Sequence, residues 1–149
     1  MSPRAACRLE SLGYDQVFDY VGGKRDWTGV GWPVEGQKAA EPRIRSLARR
    51  DVPRALLGDQ VGDVARRAQE FGYNFAVVVT ADDVVLGMLE PKALKASEDM
   101  RVEGVMRPGP STYRPDVPTK ELLDKLQPKG LHRALVTTPE GRLIGVVLV

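Results

Sequence analysis

Two stretches of the chain show the same alternation of apolar runs and polar turns. Residues 75–89 and 133–147 each contain an aliphatic run, a short polar turn and a second aliphatic run. They align without a gap at an offset of 58 residues, which places Gly87 on Gly145. Short β-branched runs around a polar turn predict a β-hairpin with buried strands. A single hairpin is marginally stable in water, so we expect the two hairpins to share one core.

A predicted helix precedes each hairpin. Residues 59–71 place small and branched apolar side chains on one face, and residues 118–127 repeat this pattern. A short apolar run before each helix, at residues 52–57 and 111–114, predicts a further strand. Each repeat is therefore expected to be a strand, a helix and a hairpin, with residues 102–106 as a short helical link between the repeats.

The first part of the chain differs in character from the repeats. Residues 3–12 carry apolar side chains at helical spacing, and residues 16–21 predict a strand. A Gly/Pro-rich run follows at residues 29–36. Residues 37–50 are charged and have few large apolar side chains, which predicts a linker or a short helix whose arginines face solvent.

Charge balance and cysteine content argue against several classes of protein. The 149 residues include 22 Lys and Arg against 20 Asp and Glu, whereas a dedicated nucleic-acid binder would show a strong basic excess. The sequence has no apolar run near the roughly 18 residues of a membrane span, and no leader is recognisable, so we expect a cytoplasmic chain without a membrane partner. The single cysteine, Cys7, is expected to be buried, and with only one histidine, His132, no protein-built metal site is expected.

The order of elements in the two repeats resembles a tandem pair of CBS motifs (cystathionine β-synthase type). The resemblance rests on the aliphatic runs around Gly87 and Gly145, the link ending in Met106, and Thr112 at the start of the second repeat. It covers about two-thirds of the chain. It implies an α/β (α+β) fold of two β-α-β-β repeats with pseudo-two-fold symmetry, and a homodimer. It also implies adenosine ligands such as AMP, ATP or S-adenosylmethionine in the clefts between the repeats, with no cofactor required.

The residues expected to hold a ribose differ from those of the family that the repeats resemble. In that family a Thr or Ser, and then an Asp, follow the hairpin glycine. Here Glu90 and Ala93 occupy those positions in the first repeat, and Leu148 occupies the first of them in the second. This difference predicts weak binding, and Glu90 is expected to face water.

The cleft on the side of the second repeat is the candidate ligand site. Arg54 stands in the first repeat where the second has Thr112, so the second side keeps the small hydroxyl residue. Guanidinium groups suit phosphate oxygens, so binding is expected to favour phosphorylated adenosine. The candidate ligand residues are Thr112, Tyr113, Arg114, Arg133 and Ala134.

The beginning of the chain resembles the C-terminal end of a rhodanese-like domain. The resemblance rests on the residues of the predicted helix and strand and on the glycines that follow them: Ala5, Ala6, Leu9, Leu12, residues 17–20, Gly22, Gly23 and Trp27. In that family the nucleophilic cysteine precedes this helix, whereas Cys7 lies inside it. No sulfurtransferase activity is therefore expected.

The predicted organisation has four parts: a rhodanese-like fragment at residues 1–36, a linker at 37–50, the first CBS motif with its link at 51–106, and the second CBS motif at 107–149, which is expected to lack its closing helix. The favoured hypothesis is a non-enzymatic regulatory module that binds an adenosine nucleotide weakly. Two alternatives stay open. One is a rhodanese-type sulfurtransferase fragment with a CBS tail, and the other is an association module that dimerises without a ligand.

Overall fold

The computed structural model describes residues 3–149, and the chain divides into two units between Ala40 and Glu41. Across the described residues, no helix combines the length and the apolar character needed to span a bilayer.

The first unit contains two short helices, α1 (Pro3–Ser11) and α2 (Gly23–Val30). The helix predicted at residues 3–12 is confirmed, but the strand predicted at residues 16–21 is wrong. The described part of this unit contains no strand, so an extended segment there would have no partner for its backbone groups. The interpretation of this unit as a rhodanese fragment is therefore not supported.

An aromatic cluster holds the segment before α2 against that helix. The rings of Tyr20, Trp27 and Trp32 pack with centroids 4.6–5.6 Å apart, and the indole Nε1 of Trp27 donates to the carbonyl of Pro33 at 2.8 Å. The hydroxyl of Tyr20 donates to the Asp26 carboxylate. Cys7 lies exposed on α1, contrary to the predicted burial, because the described part of this helix has no buried residue.

The second unit consists of two mixed sheets and their helices. In the first sheet β1 (Arg54–Ala55), β2 (Ala76–Val79), β3 (Val85–Leu89) and β4 (Arg107–Pro108) follow in that order, and in the second β5 (Thr112–Tyr113), β6 (Arg133–Thr137) and β7 (Leu143–Leu148) do so. Helix α3 (Val61–Glu70) joins β1 to β2, α4 (Val102–Val105) precedes β4, and α5 (Thr119–Leu126) joins β5 to β6. Short 3-10 turns occur at Ile44–Ser46, Ala93–Lys95 and Gln127–Lys129.

The two hairpins have the same register, as the repeat predicted. Val78 pairs with Gly87 in the first hairpin, Val136 pairs with Gly145 in the second, and each ladder shifts register directly after this pair. The loops also bind each other reciprocally. The Val85 N–H donates to the Gly141 carbonyl at 3.0 Å, and the Leu143 N–H donates to the Asp83 carbonyl at 2.9 Å. Because the offset of 58 exchanges these two bonds, the hairpins are related by pseudo-two-fold symmetry.

Alternation along the strands produces one shared core and two lateral cores. Val77 and Leu135 lie in the core between the two sheets, which Tyr73 and Phe75 also enter. The intervening side chains point the other way, towards α3 in the first repeat and towards α5 in the second. The shared core is what makes the two hairpins one module.

Residues 42–49, which the charge pattern assigned to a linker, pack on the second repeat. Ile44 is 0% exposed and lies in the lateral core beside Leu122 and Leu126. Its N–H donates to the Val117 carbonyl at 3.0 Å, and Arg49 exchanges two backbone hydrogen bonds with Val146 at 2.8 and 2.9 Å. The predicted linker thus contributes a core residue.

The segment before the second repeat packs on the first repeat in the same manner. Val102, the counterpart of Ile44 at the offset of 58, is also 0% exposed and lies in the lateral core of α3. Its N–H donates to the Asp59 carbonyl at 3.0 Å, which mirrors the bond between Ile44 and Val117. Each repeat therefore completes its core with the segment that precedes the other repeat.

The two hairpin glycines allow these segments to cross the sheets closely. A Cβ on Gly145 would lie 2.3 Å from the carbonyl oxygen of Arg49, and a Cβ on Gly87 would lie 2.8 Å from that of Arg107. Any side chain would collide with backbone at both positions, which explains why glycine occurs at this point of both repeats.

Candidate functional site

A cleft of about 870 Å³ opens within the second unit, between parts of both repeats. Its walls come from the loops that lead into β2 and β6, from the end of β3, and from residues 107–113, which run from β4 to β5. This volume lies in the range of roughly 300–1,000 Å³ that small-molecule sites occupy. Apolar side chains supply much of the wall, among them Phe75, Met88, Tyr113 and Leu135.

An ion pair between the two repeats lies in the wall of the cleft. The Nη2 group of Arg133, the first residue of β6, donates to the carboxylate of Glu90, which follows β3. The Arg133 guanidinium also lies over the Phe75 ring, 4.6 Å from its centroid. The side chains of Arg133 and Glu90 are 27% and 32% exposed. The expectation that Glu90 faces water is wrong, because Arg133 holds its carboxylate.

Two further polar side chains line the cleft and are more exposed. His132 precedes β6, and Arg107 lies in β4, where it pairs with Met88 of β3. Within residues 3–149, Arg107 has no carboxylate at ion-pair distance. Sequence reasoning missed Arg107, because its position in the cleft depends on the pairing of β4 with β3.

The predicted site residues separate into two groups. Tyr113 and Arg133 line the cleft, whereas Thr112, Arg114 and Ala134 do not. Successive side chains of a strand point to opposite faces, so Arg133 and Leu135 reach the cleft while Ala134, between them, packs in the lateral core with α5.

Arg114 lies against the turn of the second hairpin instead. Its Nη2 group donates to the Pro139 carbonyl at 3.2 Å. The pKa of Glu140 in the same turn is lowered, first by its own backbone N–H, then by the Thr138 hydroxyl, with smaller contributions from Arg114 and Arg142. The structure therefore associates Arg114 with this turn and not with the cleft.

Positions that the offset of 58 relates carry different side chains in the two repeats. Tyr73 is 9% exposed, and its hydroxyl lies 3.5 Å from the carboxylate of Asp51. The counterparts at the offset of 58 are Leu131, which is exposed, and Gly109, which has no side chain. Arg54, the counterpart of Thr112, has its Nε 3.0 Å from the Asp83 carboxylate. Asp51 and Arg54 lie outside the cleft wall, whereas Tyr73 and its counterpart Leu131 both line the cleft.

Comparison with known proteins agrees with this architecture. Residues 102–149 match the CBS domain family. Among curated proteins, no relative matches the chain significantly.

Solved structures match both repeats. The cytosolic domain of the Mg²⁺ channel MgtE in complex with ATP is 23% identical, with a TM-score of 0.67, over 74% of this chain and 48% of that chain. The CBS domain pair of protein MJ0100, in complex with 5′-methylthioadenosine and S-adenosyl-L-methionine, is 14% identical, with a TM-score of 0.63, over 72% of this chain and 90% of that chain. The CBS domains of a transcriptional regulator from Streptococcus pneumoniae are 16% identical, with a TM-score of 0.66, over 72% of this chain and 92% of that chain.

At these identities the likeness defines the fold. The second unit has the α/β fold of a CBS-domain pair, with two mixed sheets. The chain spans about half of the solved chain of the channel's cytosolic domain and most of the other two solved chains.

Proposed function

We propose that residues 41–149 form a non-enzymatic regulatory module that binds an adenosine-containing small molecule in the cleft between its repeats. The observation that carries this proposal is the cleft itself, which has nucleotide-sized volume, aromatic and aliphatic walls, and arginines at its edge. The ATP, methylthioadenosine and S-adenosylmethionine named with the similar structures support the choice of ligand class.

Different parts of the cleft wall suit different parts of a nucleotide. Tyr113, Met88 and Leu135 offer an apolar surface suited to a purine ring. Arg107 is the exposed guanidinium, and a phosphate or another anionic group of the ligand is expected to lie nearest to it. Arg133 contributes to the same wall, although Glu90 already engages part of its guanidinium.

Weak binding is expected because the first repeat has no carboxylate at the position expected to hold a ribose. Ala93, at the position where the family has the Asp, packs against the lateral core of α3, and Leu148, at the position of the Thr or Ser, is an exposed apolar residue. A hydrogen bond to a charged group contributes about 1.5–3 kcal/mol, which corresponds to about 10- to 150-fold in affinity. A dissociation constant in the micromolar range or weaker is therefore expected.

A second candidate is an association module that works as a homodimer without a ligand. The ion pair between Glu90 and Arg133 favours it, because these two charged groups in the wall of the cleft already bind each other. Under this alternative, no adenosine compound binds.

Calorimetry with adenosine, AMP, ATP and S-adenosylmethionine tests the proposal, with GMP as the control for the base. We expect at least one adenosine compound to bind and GMP to bind at least tenfold more weakly. Arg107→Ala should weaken AMP binding about tenfold. Arg101→Ala is the matched control, because Arg101 is exposed and lies outside the cleft wall. Equal binding of GMP and AMP, or no binding of any compound, would refute the proposal.

A further inference from the structure

The contact between Glu90 and Arg133 has a consequence for the ligand that the cleft accepts. Arg133 is the counterpart of Phe75 at the offset of 58, and the two side chains stack, so the guanidinium has one face against an aromatic ring. Its Nη2 edge is bound to Glu90. Without any ligand, one face of the guanidinium therefore already contacts an aromatic ring, and its Nη2 edge is already hydrogen-bonded.

The carboxylate exists on only one side of the pseudo-two-fold axis. The counterpart of Glu90 is Leu148, which has no charge. The ion pair is also partly withdrawn from water, with side chains 27% and 32% exposed, so its charges are screened less than those of a fully exposed pair. Glu90 therefore places a negative charge beside Arg133 in this wall of the cleft, and the pseudo-symmetric position has no such charge.

From these contacts we infer that Glu90 is a specificity-determining residue that excludes anions from Arg133. An anion that approaches the guanidinium also approaches the Glu90 carboxylate, so repulsion by the glutamate cancels attraction by the arginine. A neutral or cationic group meets no such repulsion. This inference rests on the proposed ligand cleft. It predicts that phosphate groups of an adenosine nucleotide beyond the first do not raise its affinity for the chain.

The test uses inorganic pyrophosphate as the probe, because it requires no adenine recognition. The NMR signal of the Arg133 side-chain Nε–H is followed during titration of the full chain and of Glu90→Gln, which keeps the shape and removes the charge. We expect pyrophosphate to bind Glu90→Gln at least tenfold more tightly than the unmodified chain, with a shift of the Arg133 signal. In parallel, ATP should bind Glu90→Gln more tightly than AMP, while the unmodified chain binds the two alike.

Two variants serve as controls. Glu121→Gln also removes one carboxylate from an ion pair, because Glu121 lies 2.6 Å from Lys125. Glu121 is on the exposed face of α5 and outside the cleft wall. Glu121→Gln should behave like the unmodified chain. Glu90→Asp keeps the charge and should also continue to exclude pyrophosphate, which separates an effect of charge from a loss of folding.

The outcomes separate this inference from the proposed function. Equal binding of pyrophosphate to the unmodified chain and Glu90→Gln, or binding to neither, would overturn the inference even if adenosine compounds bind. Binding of pyrophosphate to Glu90→Gln alone would support it even if no adenosine compound binds any variant, a result that would refute only the proposed function.

Discussion

Substitution of Ile44 by alanine tests whether the segment before the first repeat is part of the folded core. Ile44 is 0% exposed and packs among Leu122, Leu126 and Val136. The substitution removes about three buried carbon atoms, at about 0.8 kcal/mol each. The cavity that remains adds to this cost, so the expected loss in the free energy of unfolding is about 3–4 kcal/mol. For a unit of about 110 residues, whose total stability is about 5–15 kcal/mol, this is a large fraction.

Urea denaturation followed by circular dichroism measures this loss through the transition midpoint at unchanged slope. Thermal melting should show a drop of about 12 °C or more, at about 4 °C or more for each kcal/mol. Leu47→Ala is the matched control, because Leu47 lies in the same segment but is 49% exposed, and it should cost less than about 1 kcal/mol. If Ile44→Ala costs no more than Leu47→Ala, residues 42–49 do not pack on the second repeat, and the segment before the first repeat does not complete the core of the second.

Two further substitutions test other contacts. Gly145→Ala should destabilise the second unit by about 2–3 kcal/mol in urea, since its Cβ would meet the Arg49 carbonyl. Gly104→Ala, in open space on α4, should leave stability unchanged or raise it by up to about 1 kcal/mol, and equal effects of the two would contradict the close crossing. Asp26→Asn should lower the pKa of Tyr20, which the hydrogen bond to Asp26 raises above 10.0, as seen by ultraviolet titration. Because the folded-state pKa is raised, the stabilisation by this bond is present below the ordinary tyrosine pKa and is lost as pH rises through the raised value, and an unchanged Tyr20 titration in Asp26→Asn would count against the bond.

The paired hairpins could be predicted from the sequence because their period and their glycines repeat at a constant offset. The packing of Ile44 could not, since a single isoleucine within a charged segment produces no periodic signal. The candidate site was predicted as runs of consecutive residues, whereas a strand directs alternate side chains to opposite faces. This is why Arg133 reached the cleft and Ala134 did not. The partner of Glu90 also depended on tertiary structure, because the glutamate and Arg133 come from different repeats.

The exchange of segments between the repeats affects how this chain can fold during synthesis. Arg49 and Val146 form a backbone bridge although nearly 100 residues separate them. At about 5–20 residues per second, a ribosome needs about 5–20 s to make the intervening chain. Ile44 therefore emerges first, and its core on the second repeat is complete only when the last strand has been made. The first repeat, in contrast, receives Val102 as soon as the link is complete, so the nascent chain can close its N-terminal half of the module before the C-terminal half.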